Sequence, residues 1–207
     1  MIEINKIFLK DYKKPEFQIL SVDLTFELDE EQTIVTNVMQ CKKINEATKD
    51  ISLDSIDLVL ESLQLNDLEL NDTRYFYKNE KLTIQNVPTE FSLTIKNKIF
   101  PQDNTELEGL YKSGSIFCTQ NEPEGFRRIT PYLDRPDVMS VFTTTVIGDK
   151  KKYPMLLSNG NKHSIKDISD SKHAVTWLDP HPKPAYLFAL VAGDLGCVND
   201  SFLTASN

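Results

Sequence analysis

The residues best suited to chemistry in this chain lie close together after Cys118. Glu122 and Glu124 flank Pro123, and Gln120 stands two residues before Glu122. Carboxylates beside an amide on a constrained loop offer acceptor oxygens to a cationic donor, so the cluster is suited to holding an amine. A solvated acidic loop would contain the same residues, and their types and spacing leave that alternative open. Other chemistries find no support. A hydrolytic zinc helix carries histidines at i and i+4 with a glutamate beside the first. Here His163, His173 and His181 are ten and eight residues apart and no HExxH occurs, so each reads as a surface or turn residue. GxSxG, GxGxxG and GxxxxGK[ST] are absent as well, which removes the support for a serine nucleophile or a nucleotide loop. Gly114-Ser115 and Asn159-Gly160 read as turns, and Lys150 to Lys152 as a solvated tip. The expectation is no catalytic residue and no metal ligand in this chain.

Strands must position that cluster, because the dominant period is two. From Leu20 to Leu28 the apolar Leu20, Val22, Leu24, Phe26 and Leu28 alternate with Ser21, Asp23, Thr25 and Glu27. This predicts a strand with one buried face, paired as a hairpin with a second run over Thr33–Ile44. Further strands are predicted over Ile51–Leu53, Leu58–Leu65, Tyr75–Tyr77, Lys81–Ile84, Phe91–Ile99, Phe142–Ile147, Met155–Ser158, His173–Trp177 and Tyr186–Val191. Ile165–Lys172 reads as a hairpin tip, and the best helical case is a short turn around Pro136–Ser140. Many short strands at fairly even spacing indicate an all-β sandwich or an open multi-sheet domain. From Pro101 to Pro136 the alternation fades. A long irregular segment inside a compact domain is often functional, although a plain connection between sheets would read the same way.

The 207 residues include 23 Lys and Arg against 31 Asp and Glu, a net charge of −8. An acidic surface repels phosphate backbones, so no nucleic-acid partner is expected. Apolar residues make up 40%, enough for a sizeable core. The longest apolar run, Tyr186 to Ala192, has strand length, far short of the ~18 residues of a membrane-spanning helix. Met1 to Lys14 lacks the apolar core of a secretory signal. Cys41, Cys118 and Cys197 are an odd, widely spaced set, so reduced buried thiols and a cytoplasmic location are expected.

Glu106-Leu107-Glu108-Gly109-Leu110-Tyr111, Cys118-Thr119-Gln120 with Glu122, and Glu124-Gly125-Phe126-Arg127-Arg128 follow one another along the chain. In this order they resemble the N-terminal domain of the M1 family of zinc aminopeptidases, closest to its bacterial branch. The likeness continues in Ile129 to Asp137 (ITPYLDRPD), Tyr153 to Asn161 (YPMLLSNGN) and Pro182 to Asp194 (PKPAYLFALVAGD). It is strong over residues 105–195 and looser over 1–104. The resemblance implies an all-β, saddle-like multi-sheet β-sandwich domain over residues 1–195. It also implies that 196–207 begin the linker or strand toward a catalytic domain outside these residues.

That domain would carry the GxMEN and HExxH motifs and the zinc of the parent enzyme, a metallopeptidase of peptide catabolism. This chain alone would then be inactive, with peptide substrates and its own catalytic domain as partners and no membrane. The family's Thr-Gln-x-Glu/Gln pattern matches Thr119-Gln120-Asn121-Glu122. It implies Glu122 as a contact to the substrate's α-amine, with Gln120 as a neutral partner in the same pocket. Asn121 and Pro123 make this loop individual. Arg127 and Arg128 are expected to brace the loop by ion pairs, and Asp134 to cap the turn that follows it. The alternative from another class is a stand-alone, non-catalytic β-sandwich interaction module, since a fold does not by itself supply chemistry.

Overall fold

The computed structural model describes residues 8–203 and 205. Its strands are β1 (Phe17–Glu27), β2 (Thr33–Lys43), β3 (Ile51–Asp54), β4 (Val59–Leu65), β5 (Leu68–Glu69), β6 (Tyr75–Tyr77), β7 (Lys81–Ile84) and β8 (Glu90–Ile99). They continue as β9 (Gly109–Ser113), β10 (Ile116–Gln120), β11 (Met139–Asp149), β12 (Met155–Ser158), β13 (Asn161–Asp167), β14 (Lys172–Pro184) and β15 (Leu190–Gly193). Strands make up 52% of the described residues, in several open sheets, as the alternation predicts. One sheet has eight strands in the order β13-β14-β11-β1-β2-β8-β4-β5, a second runs β12-β15-β10-β9, and a third runs β3-β7-β6. Among the described residues only β1 and β11 pair in parallel, at the middle of the large sheet; the other pairs are antiparallel.

The β1–β2 hairpin is present, with one change of face. A bulge between Ile19 and Ser21 sets Leu20 outside the ladder. One extra residue flips every side chain before it. Phe17 and Ile19 are therefore buried with Val22, Leu24, Phe26 and Leu28, while Leu20 is 45% exposed.

The later strands differ more from expectation. The segment Pro101–Pro136 contains a hairpin, β9 and β10, closed by Ser113–Ile116. β13 takes Ile165 to Asp167 and β14 takes Lys172 from the stretch read as a hairpin tip, which shrinks to Ile168–Ser171. β14 runs on through Pro180, Pro182 and Pro184. β13 ends its pairing at Leu178, so this stretch pairs with β11 alone, and a strand with one open side tolerates residues that lack an amide donor. Tyr186–Val191 is not one strand. Ala185–Leu187 form a 3₁₀ turn and pairing begins at Leu190. Pro136 and Asp137 form the expected turn. Among the described residues of the tail, 196–203 and 205 carry no strand, and the remainder of 196–207 lies outside the described residues.

The sheets meet through aromatic rings. Phe126 lies edge-on to Tyr132, Phe142 and Phe188, with ring centroids 4.9, 6.1 and 5.4 Å away. Phe26 of β1 stacks on Phe188 at 5.8 Å. Trp177 of β14 donates its indole N–H to Leu156 O of β12 at 3.0 Å, which links the large sheet to the four-stranded one.

Candidate functional site

β10 delivers the acidic loop. Its residue Thr119 is tied to β15, since Thr119 Oγ1 accepts the Leu190 amide at 2.9 Å. Gln120 closes the strand opposite Gly109, and its side-chain Nε2 donates to Glu122 O at 3.3 Å. The chain then turns through Asn121 to Gly125 and enters a 3₁₀ turn at Phe126–Arg128, where Phe126 drops into the aromatic core. Asn121 is 3% exposed, and its Nδ2 donates to Phe188 O at 2.7 Å. The Gly125 amide closes the neck of the loop on Asn121 O at 2.9 Å. Gly125 is required by space: a Cβ there would lie 2.5 Å from Gln120 O and 2.9 Å from Asn121 Cα. The Glu122–Pro123 peptide is cis.

What protrudes is Glu122, Pro123 and Glu124, all exposed. With Pro136 and Tyr186 they line an open cavity of about 340 Å³. The structure thus brings both predicted carboxylates to one concavity with an apolar portion. Gln120 is exposed beside it and is not among the lining side chains. Glu124 is within 3.4 Å of Arg127 Nη1, which leaves Glu122 as the acidic side chain of the cavity with no ion-pair partner among the described residues.

Both arginines brace the loop from behind. Arg127 donates from its amide and its Nε to Asp134 Oδ2, at 3.1 and 3.0 Å, and from Nη2 to Asp134 O at 3.0 Å. Asp134 therefore reaches back to Arg127 and does not cap the turn after it. Burial raises the Asp134 carboxyl above its ordinary pKa, although the Arg127 guanidinium pulls the other way. Arg128 Nε donates to the Glu108 carboxylate at 3.2 Å, and Nη1 contacts Asp57.

Asn121, Pro136 and Tyr186 escape the sequence reading as site residues. Tyr186 was hidden inside an apolar run that reads as strand; Pro184 just before it was the available signal for a break. Among the described residues no three His, Cys, Asp or Glu side chains gather as a metal site. The Nε2 of His173 lies 2.8 Å from Tyr153 O, and His163 and His181 are exposed. The side chains of the described residues do not gather in a way that fits a zinc ion. No helix among the described residues is long and apolar enough to cross a membrane. Of the cysteines, Cys41 is buried, Cys118 half-buried and Cys197 exposed, so only the first is the buried thiol expected.

An open multi-sheet β domain with an acidic loop beside a small cavity defines a recognisable class. Residues 11–187 match the peptidase M1 N-terminal domain, and the chain belongs to that family. It is 49% identical over 196 residues to aminopeptidase N of Escherichia coli K12, covering 95% of this chain and 22% of that protein. The identity to Haemophilus influenzae aminopeptidase N is 42% over 202 residues, 96% of this chain and 23% of that protein. The crystal structure of Legionella pneumophila aminopeptidase A in complex with aspartic acid superposes with a TM-score of 0.86 at 36% identity. It covers 91% of this chain and 22% of that one. An M1 zinc metallopeptidase from Deinococcus radiodurans has the same fold, with a TM-score of 0.74 at 16% identity over 86% of this chain and 42% of that one. The chain spans less than a quarter of the length of the aminopeptidases N that it matches.

Proposed function

We propose that this chain is the N-terminal domain of a cytoplasmic zinc metalloaminopeptidase that releases N-terminal amino acids from peptides. It caps the active site of a catalytic domain outside these residues and contributes Glu122 as a contact to the substrate's α-amine. The observation that carries this reading is the geometry of Glu122: an exposed carboxylate without an ion-pair partner among the described residues, at a cavity, on a loop whose base is fixed. The names of the relatives support it, and so does the ligand of the Legionella protein, an amino acid with a free α-amine.

A charged ammonium needs acceptors, and a carboxylate gives a short charge-assisted bond. Holding the amine sets the first peptide bond at a fixed distance from it, so an exopeptidase follows from position. A blocked or internal amine cannot make the contact, which leaves the carboxylate unpaired and disfavours such substrates. Gln120 would act as a neutral second acceptor. Zinc belongs to the catalytic domain in this reading, and this chain's own part is to bind and orient.

The test is Glu122→Ala in the full-length enzyme. A hydrogen bond to a charged group is worth about 1.5–3 kcal/mol. The expected result is a rise in KM and a fall of roughly 10- to 150-fold in kcat/KM at unchanged zinc content. An unchanged kcat/KM would remove Glu122 from the site.

A further inference from the structure

We propose that Asn121 is the positioning residue for the Glu122 carboxylate. It does so by binding the segment that bears Tyr186, another side chain of the cavity. This rests on the amine-contact reading of Glu122 and adds a residue to it. Asn121 is next to Glu122 in the chain, yet its side chain is turned inward and only 3% of it is exposed. Its Nδ2 donates to Phe188 O at 2.7 Å, while its Oδ1 is buried without a hydrogen-bond partner among the described residues. Because Phe188 O is an acceptor, the amide must present its NH₂ there, so the orientation is determined. Burying an amide with its oxygen unpartnered is unfavourable, and an apolar side chain would fill the space at lower cost. The donor is therefore the property this position uses.

The acceptor it meets lies in a segment bonded on both sides of Phe188. Asn159 Oδ1 accepts the Ala189 amide at 2.7 Å and its Nδ2 donates to Leu187 O at 3.1 Å. Ser158 Oγ donates to Ala189 O at 2.8 Å, and Thr119 Oγ1 takes the Leu190 amide at 2.9 Å. The Phe188 ring itself packs in the aromatic core against Phe26 and Phe126. Asn121 ties the loop to this segment, and its own carbonyl closes the loop's neck on Gly125 at 2.9 Å. Residue 122 leaves that neck directly, so its direction is set one bond away from a fixed point.

A double-mutant cycle on peptide hydrolysis by the full-length enzyme tests this, with Asn121→Ala, Glu122→Ala and the pair. Alone, Asn121→Ala should lower kcat/KM roughly five-fold, mainly through KM. In the Glu122→Ala background it should change kcat/KM by less than about two-fold, because there is no carboxylate left to place. Equal losses in both backgrounds would mean a general structural role and overturn the proposal, as would no loss in either. If Glu122→Ala is itself without effect, the amine contact falls and this inference with it. If only the coupling is missing, the inference alone falls. Should Asn121→Ala fail to fold, the nearly isosteric Asn121→Asp, which turns an acceptor toward Phe188 O, carries the same cycle with the same two outcomes.

Discussion

Glu30, in the turn between β1 and β2, gathers side chains from distant parts of the chain. Lys112 of β9 and the Tyr153 hydroxyl contact its carboxylate, and Lys152 Nζ lies 3.3 Å away. The large sheet is thereby fastened to the strands that carry the acidic loop. Hydrogen bonds from Lys112 and then Tyr153 lower the Glu30 pKa from 4.5 to about 2. The folded value lies below the unfolded one, so the stabilisation is present above about pH 4.5 and is lost as pH falls toward 2. Its size is moderated by solvent, since the Glu30 side chain is 42% exposed. Unfolding free energy from urea titrations should therefore decline across that interval, and Glu30→Gln should flatten the decline. An equal decline in Glu30→Gln would assign the acid sensitivity to other carboxylates.

At the scale of elements, the acidic loop depends on how closely β10 and the Phe126 turn can approach. Gly125 has φ −81°, a conformation open to any residue, so its requirement is spatial. The atoms a Cβ would strike are backbone: Gln120 O, Asn121 Cα and Gly109 N, at 2.5, 2.9 and 2.9 Å. None of these can rotate away. Gly125→Ala should cost about 1–3 kcal/mol in urea unfolding and, in the full-length enzyme, also lower kcat/KM as the loop shifts. Unchanged stability would show that the neck is looser than its contacts suggest. The strand elements with an apolar alternation, such as β1 from Val22 to Phe26 and β8 from Phe91 to Ile95, are legible from sequence because alternate apolar residues line one buried face. β13 is not, because it is a sheet edge exposed along nearly all its length, and an edge strand need not alternate. The apolar run Tyr186–Val191 misleads for the opposite reason: burial there comes from Phe188 entering the aromatic core, and only its end joins a ladder. The site divides in the same way. Glu122 and Gln120 stand in a motif that local sequence carries, whereas Asn121 acts through a partner 67 residues away, and no local pattern encodes that contact.

At the scale of the whole molecule, topology binds distant segments together. β1 and β11 are neighbours at the centre of the large sheet although more than a hundred residues separate them, and everything between them is folded outward from that seam. The acidic loop lies in that inserted stretch. It returns to the core through Phe126, whose ring touches Phe142 of β11 and Phe188 just before β15. The smaller four-stranded sheet is therefore held by rings and by the Trp177 indole bond to Leu156, and it has no separate core of its own. From this the two sheets should unfold as one cooperative unit. The chain contains one tryptophan, so fluorescence reports the junction between the sheets specifically. Far-UV circular dichroism reports strands in all of them. Coincident urea transitions by the two probes are the expected result, as for any all-or-none unfolding. If the fluorescence change came first, the junction would open while the large sheet persisted. The loop's position would then be set locally, and the network from Asn121 to Phe188 would have to hold it without the support of the large sheet.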